Sequence, residues 1–189
     1  DAHNNLGLVF HASREFHKAK SSYQKIIKLR PNYASAHNNL ANVYKELGER
    51  DKAKRCYQKA LEINPNYVDA HFNLGLLLEE LGEQEQSVGC YQKVIQIQPN
   101  HANAHNNLGI ILGKLGEYKK AINAYEKAIE INPNFSSAHL NLGVVFEDLG
   151  EFKKAISYYE KALKLKPNSV NAQANISNIY IRQLDNLEK

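Results

Sequence analysis

Apolar residues recur along the chain in short stripes that are separated by polar breaks. Between residues 102 and 135, Ala104, Leu108 and Ile111 follow one another at steps of three or four residues, which is the period of one helix face. Gly116-Glu117 then interrupts the pattern. A second stripe runs from residue 121 to residue 129 and stops at Asn132-Pro133, because proline cannot continue a helix. The pattern predicts two amphipathic helices joined by a short turn.

This pattern repeats every 34 residues along the chain. The prolines keep this spacing, at positions 31, 65, 99, 133 and 167, and a histidine, a tyrosine and an asparagine recur with them. Such a repeat predicts stacked helical pairs that bury their apolar faces against one another. We predict a single array over residues 1–189. Its repeats are 1–33, 34–67, 68–101, 102–135 and 136–169, and a terminal helix follows in 170–189.

These residues carry a resemblance to a known family. The run Asn107-Leu108-Gly109, the run Leu115-Gly116-Glu117-Tyr118 and the later Ala121, Tyr125, Ala128 and Pro133 resemble the tetratricopeptide repeat signature, with Ser13-Arg14 replacing Leu-Gly in the first unit. The resemblance implies an all-α fold, a right-handed alpha-alpha superhelix or solenoid of five helix-turn-helix repeats plus one terminal helix. It also implies that first helices line a concave groove and second helices form the convex back.

Glycine lies inside the first helix of four units, at positions 7, 75, 109 and 143. Because glycine in a helix costs about 1 kcal/mol relative to alanine, we expect it to permit close approach of a neighbouring helix. We expect the facing residues to be the alanines at positions 53, 121 and 155.

One asparagine per unit is predicted to project along the groove. The row comprises Asn5, Asn39, Asn73, Asn107, Asn141 and Asn175. A primary amide both donates and accepts hydrogen bonds, so it can pair with a peptide unit without reading a side chain. Such a ladder resembles that of the O-linked N-acetylglucosamine transferases, where it holds extended substrate peptides. The alternative is that these amides form hydrogen bonds within the array. If they instead bind a peptide, replacing Asn73, Asn107 and Asn141 by alanine should weaken peptide binding and leave thermal stability nearly unchanged.

Further predicted groove residues are apolar or acidic. The apolar set, which the core stripe does not need, comprises Phe72, Leu76, Ile110, Leu140 and Val144. The acidic set comprises Glu79, Glu80, Glu147 and Asp148. These acids would favour a ligand with basic residues, or they are solvated helix ends without a binding role.

These features predict a protein-interaction scaffold that binds an extended peptide with apolar or basic residues. Two alternatives stay open: the chain is the substrate-recruiting region of a larger, glycosyltransferase-like enzyme, or it is a homo-oligomerising structural module. In the second case the terminal helix would self-associate through Ile176, Ile179, Tyr180 and Ile181.

Other functions are not favoured. The sequence shows no phosphate loop, nucleophile elbow or catalytic set, so we expect no enzyme activity and no cofactor. The net charge is +4, but many lysines fall on second helices, so we expect no nucleic-acid partner. Asn38, Asn42, Asn73, Asn103 and Asn107 occupy the positions of the family's carboxylate clamp without its cations, so chaperone-tail binding is rejected. We expect the histidines to pack between repeats rather than to bind metal.

Cys56 and Cys90 are predicted to be free thiols, because equivalent positions in stacked units lie about 8–10 Å apart. Free thiols favour a reducing compartment, and no apolar run approaches the roughly 18 residues of a membrane span. We therefore expect no membrane partner and a cytoplasmic location.

Overall fold

The computed structural model describes residues 2–185, which form helices and connecting turns, with no strand within that range. The helices alternate between first and second members of successive pairs. They are α1 (Ala2–Ala12), α2 (Phe16–Leu29), α3 (Ala34–Glu46), α4 (Arg50–Ile63), α5 (Val68–Glu80), α6 (Gln84–Ile97), α7 (Ala102–Lys114), α8 (Tyr118–Ile131), α9 (Ser136–Asp148), α10 (Phe152–Leu165) and α11 (Val170–Asp185). The prediction of five helical pairs followed by one helix is confirmed. Residues 186–189 of the predicted terminal helix lie outside the described range. No helix in that range is both long and apolar enough to cross a membrane.

A left-handed residue ends the first helix of each pair. Gly48, Gly82, Gly116 and Gly150 have φ between 74° and 76°, a conformation that glycine adopts without steric cost. In the first pair the same position is Arg14, whose φ is 59°. A side chain in this conformation costs about 1–2 kcal/mol, so the turn between α1 and α2 is strained where the others are not.

Four of the glycines inside the first helices of the pairs each pack against a tyrosine ring, whereas Gly113 on α7 does not. A Cβ atom added to Gly109 would lie 2.7 Å from Tyr125 Cε1, and Gly7, Gly75 and Gly143 face their own tyrosines in the same way. The expectation that alanine faces these glycines is therefore wrong. Ala121 is fully buried, but the residue that contacts Gly109 most closely is Tyr125, one turn further along the second helix.

The periodic histidines tie each first helix to the loop before it. The Nε2–H groups of His37, His71 and His139 donate to the carbonyl oxygens of the prolines six residues earlier, at 2.8, 2.8 and 3.0 Å. In α11, Gln173 occupies the same position and its Nε2 donates to Pro167 O at 3.3 Å. An amide thus replaces an imidazole at this position. This shared bond gives the histidine row a structural role.

The chain divides into two compact units, Asp1–Pro99 and Asn100–Lys189, called unit 1 and unit 2 below. Each has its own apolar core, with Tyr57 and Leu77 buried in unit 1 and Tyr159 and Leu142 buried in unit 2. The prediction of a single array over the whole chain stays a prediction.

Charged contacts join successive repeats of unit 1. Lys20 lies 3.2 Å from Glu49, and Lys54 lies 2.6 Å from Glu83. The lysine positions become Ile122 and Ile156 in unit 2, where both isoleucines pack against the core.

Candidate functional site

A chain of three amides runs between the first helices of unit 2. Asn141 Nδ2 on α9 donates to Asn106 Oδ1 on α7 at 3.1 Å, and Asn106 Nδ2 donates to Asn107 Oδ1 at 3.2 Å. Asn106 is only 5% exposed, whereas Asn141 and Asn107 are half-buried. Two members of the predicted row are thus joined by a buried asparagine between them.

Unit 1 contains the same arrangement. Asn73 Nδ2 on α5 donates to Asn38 Oδ1 on α3 at 3.3 Å, and Asn38 Nδ2 donates to Asn39 Oδ1 at 3.4 Å. Asn38 is 3% exposed. Because the buried asparagine depends on its neighbour, removing Asn73 would leave a buried carbonyl without a donor. The expectation that alanine substitutions along the row leave stability nearly unchanged is therefore revised.

The remaining members of the row have different surroundings. Leu140 occupies the register of Asn106, so it offers no carbonyl oxygen to which Asn175 could donate. Asn175 forms a side-chain hydrogen bond with Tyr159 instead. Asn5 is exposed on α1. Asn4, in the register of Asn38 and Asn106, has a buried Oδ1 without a hydrogen-bond partner among the described residues. The surroundings of the predicted row thus differ: Asn73 and Asn141 bond to a buried asparagine, Asn175 bonds to Tyr159, and Asn5 is exposed.

A cavity of about 250 Å³ opens beside Asn141 between α7 and α9. Four of its lining residues were predicted from the sequence. The full lining comprises Ile110, Gly113, Lys114, Tyr125, Asn141, Val144, Val145 and Asp148. Two other open depressions lie beside Glu160, where Gln173 of α11 also contributes, and beside Lys59 on α4. Of these three, the cavity beside Asn141 is the one lined by residues of the predicted site.

Gly113 keeps this cavity open. A Cβ atom at Gly113 would meet nothing closer than Val145 Cγ2, at 3.9 Å, which is an ordinary contact distance. No close helix packing therefore requires glycine at this position in the last turn of α7. Gly113 was not predicted from the sequence, although the other repeats carry a histidine, lysine or glutamate at this register and glycine stands out among them.

The corresponding place in unit 1 is crossed by side chains. Lys45 occupies the register of Gly113, and its Nζ lies 2.6 Å from Glu80 Oε1, joining α3 to α5. Asn42 occupies the register of Ile110 and accepts a hydrogen bond from the Tyr57 hydroxyl. The two units thus share the amide chain but differ in the space next to it.

The other predicted apolar residues lie partly in the core. Leu140 and Ile110 pack against the core of unit 2, and the Phe72 ring lies 5.8 Å from the Tyr91 ring in unit 1. Leu76 is half-buried, and Val144 remains 38% exposed at the cavity. Val144 therefore offers the most accessible apolar surface of this set.

The predicted acidic residues differ in their partners. Glu80 is paired with Lys45, and Glu147 accepts hydrogen bonds from Tyr159 at 2.7 Å and from Arg182 at 3.1 Å. Glu79 also has an interaction within the chain. Asp148 is exposed, lines the cavity and has no ion pair among the described residues.

Cations are not confined to second helices. Lys45 lies on α3 and Lys114 on α7, and Lys114 lines the cavity. Neither residue was predicted, because the lysines considered from the sequence were those on second helices. The first helices therefore carry both signs of charge.

The described residues present few other reactive groups. Cys56 and Cys90 are free, and burial raises the pKa of each thiol to about 11, so thiolate is scarce at neutral pH. Across residues 2–185, no cluster of three or more His, Cys, Asp or Glu side chains could hold a metal ion. His101 accepts a hydrogen bond from the backbone of Ala104 and caps α7.

Comparisons with known proteins agree with this architecture. A family model described as tetratricopeptide repeat matches residues 102–135 and 136–169, and a second model, described as TPR repeat, matches 15–48, 41–82 and 80–116. A search of the curated proteins found no match.

Solved structures with the same fold include several MamA proteins and YrrB. A MamA crystal structure is 27% identical, with a TM-score of 0.80, covering 88% of this chain and 91% of its own. YrrB, described as a TPR protein with an unusual peptide-binding site, is 23% identical, with a TM-score of 0.79 and coverages of 91% and 89%. MamA from Desulfovibrio magneticus RS-1 is 19% identical, with a TM-score of 0.82 and coverages of 89% and 96%. The helical-pair architecture is thus shared with solved structures across most of the chain.

Proposed function

This chain belongs to the tetratricopeptide repeat family, whose fold serves as a protein-interaction scaffold, and we propose that it binds an extended polypeptide along the first helices of its repeats. Such repeats are generally not catalytic. The function therefore depends on the surface that the helices present to another chain.

The cavity beside Asn141 is the observation that supports this proposal most strongly. It brings together an amide that can pair with a peptide unit and apolar walls formed by Ile110 and Val144. Gly113 keeps this space open at a position where packing does not require glycine. A surface of this kind fits a peptide backbone with a side chain directed inward.

The amides leave bonding capacity for a ligand. Asn73 and Asn141 each use one N–H group for the buried asparagine beside them, so a second N–H and the carbonyl oxygen can face a peptide. The amide chain also fixes the side-chain orientation before binding, which lowers the entropic cost of forming the complex.

Selection from a displayed library of random 12-residue peptides tests the proposal. We expect enriched peptides that bind the whole chain in titration calorimetry. Val144→Asp should reduce their affinity at least tenfold, because a carboxylate facing an apolar ligand group loses its hydration. Leu165→Asp is the matched control, because Leu165 is also 38% exposed but lies on the second helix α10. Failure to enrich any peptide, or equal binding by both variants, would refute the proposal.

Self-association through α11 is a second candidate function. Of the residues predicted for this contact, Tyr180 and Ile181 are 50% and 55% exposed, whereas Ile179 is fully buried and Ile176 packs against the core. Leu184 on the same helix is 61% exposed, so α11 presents an apolar surface to a second copy. We expect the sedimentation coefficient to rise with concentration, and the rise to disappear in Ile181→Lys. A concentration-independent monomer would remove this candidate and leave peptide binding unaffected.

A further inference from the structure

We infer that the cavity of unit 2 receives one apolar side chain of the ligand, next to a lysine or arginine, and that unit 2 thereby sets the sequence preference of the bound peptide. This inference rests on the proposed peptide-binding function. It goes further by assigning the preference to one cavity and to two adjacent ligand residues.

The size and lining of the cavity favour a single apolar side chain. Pockets for drug-sized molecules occupy about 300–1,000 Å³, whereas this one has about 250 Å³. Its apolar lining includes Ile110, Val144 and Val145, and Tyr125 also lines it. Burying a leucine or valine side chain contributes roughly 1.5–3 kcal/mol, which corresponds to a factor of about ten or more in affinity.

Asn141 fixes where the ligand backbone must lie. Its amide is held by the bond to Asn106 and also lines the cavity, so a peptide unit paired with Asn141 passes directly beside the opening. One side chain of that residue pair can then enter the cavity. Side chains alternate along an extended peptide, so the neighbouring residue points toward the rim.

Asp148 determines the charge that suits this neighbouring residue. It is exposed at the cavity on α9, and the described residues provide no ion pair for it. Lys114 lines the cavity from α7, but it already has an interaction within the chain. A lysine or arginine of the ligand is therefore the complementary partner for Asp148.

Unit 1 lacks both features at the corresponding place. Lys45 replaces Gly113 and crosses to α5, and its contact with Glu80 neutralises the carboxylate in the register of Asp148. At this place the described residues of unit 1 can therefore bind a peptide backbone through Asn73, but Lys45 crosses the position where a ligand side chain would enter. The sequence preference is assigned to unit 2 for this reason.

The test uses peptides selected from the random library on the whole chain. We expect leucine, isoleucine or valine next to lysine or arginine among them. One selected peptide is then measured by fluorescence anisotropy with two variants that add a lysine to a helix. Gly113→Lys reproduces the closed arrangement of unit 1 and should weaken binding about tenfold or more. Gly89→Lys is the matched control, because Gly89 is exposed on α6 with nothing within 4 Å, and it should leave binding unchanged.

The charge is tested by a double-mutant cycle. Replacing the basic residue of the peptide by glutamine should lower affinity about two- to fivefold on the native chain and should have no effect on Asp148→Asn. Selected peptides without the apolar-basic pair, or equal binding by Gly113→Lys and Gly89→Lys, would overturn the inference while peptide binding stands. An effect of the peptide substitution that persists in Asp148→Asn overturns the charge assignment. Absence of any selected peptide would overturn both proposals.

Discussion

Replacing Asn141 by alanine should destabilise unit 2, because it leaves the buried side chain of Asn106 without its hydrogen-bond donor. The carbonyl of Asn106 accepts its hydrogen bond from Asn141 at 3.1 Å, and Asn106 is 5% exposed. In Asn141→Ala this carbonyl loses its donor and water has little access to it. An unsatisfied buried polar group costs about 1–3 kcal/mol, and we expect the free energy of unfolding to fall by that amount.

The assay is urea unfolding followed by circular dichroism, combined with hydrogen exchange of the α7 and α9 amides, because repeat arrays need not unfold in one step. Asn123→Ala is the matched control. Asn123 is exposed in the middle of α8, so this variant includes the gain in helix propensity without the loss of the buried bond. The expected 1–3 kcal/mol is the difference between the two variants.

A second substitution distinguishes the buried bond from a general loss of packing. Asn106→Leu removes the buried carbonyl, and the chain itself has leucine at the equivalent position of the next repeat, Leu140. In the background of Asn106→Leu, we expect Asn141→Ala to cost less than about 0.5 kcal/mol, because replacing both partners by apolar groups is nearly neutral. Equal losses in the two backgrounds, or equal stability of Asn141→Ala and Asn123→Ala, would refute this explanation.

Three further predictions concern the fold. Arg14→Gly should raise the free energy of unfolding of unit 1 by about 1 kcal/mol, because it relieves the left-handed conformation at φ 59°; an unchanged urea midpoint would contradict this. Gly109→Ala should lower stability by about 1–3 kcal/mol despite its higher helix propensity, since its Cβ would lie 2.7 Å from the Tyr125 ring, and a more stable variant in thermal unfolding would exclude the clash. Cys56 and Cys90 should react slowly with Ellman's reagent at pH 8 until urea is added. The pKa of each thiol is about 11 in the folded chain, above the reference value of 9.0. The contribution of the two thiols to stability is therefore complete below about pH 9 and is lost as the pH rises toward 11. This loss of stability should be smaller in the double alanine variant.

The sequence predicted the helical architecture well because the 34-residue period imposes the same physical constraints on every repeat. Helix breaks at Gly116 and Pro133 and apolar stripes between them leave few other arrangements. The contact partner of the helix glycines was predicted wrongly. Glycine identifies a close approach but not the residue that approaches, and Tyr125 lies one helical turn beyond the alanine expected there.

The candidate site was less accessible to sequence reasoning, because its distinguishing residues deviate from the repeat. From the second to the fifth repeat, Asn38 and Asn106 alternate with Phe72 and Leu140 at the same register, whereas the first repeat also carries asparagine there, at Asn4. A search for residues shared by all repeats overlooks this alternation. Gly113 was missed for the same reason.

The partners of the acidic residues could not be read from their spacing alone. Glu147 meets Arg182, which lies more than a full repeat away on α11, and Glu80 meets Lys45 at a similar separation. Such pairs depend on side-chain reach between stacked helices, which helical periodicity does not specify. Asp148 is distinguished from them by its position at the cavity rather than by its residue type.

The alternation of the buried asparagines has a consequence for protein engineering. Designers often average natural repeats into one consensus sequence, and a 34-residue average of this chain would choose either asparagine or an apolar residue at the register of Asn106. An apolar choice would remove the buried hydrogen-bond partners of Asn73 and Asn141, whereas asparagine throughout would place an additional amide at the positions of Phe72 and Leu140. A consensus library drawn from this chain should therefore use pairs of repeats as its building block.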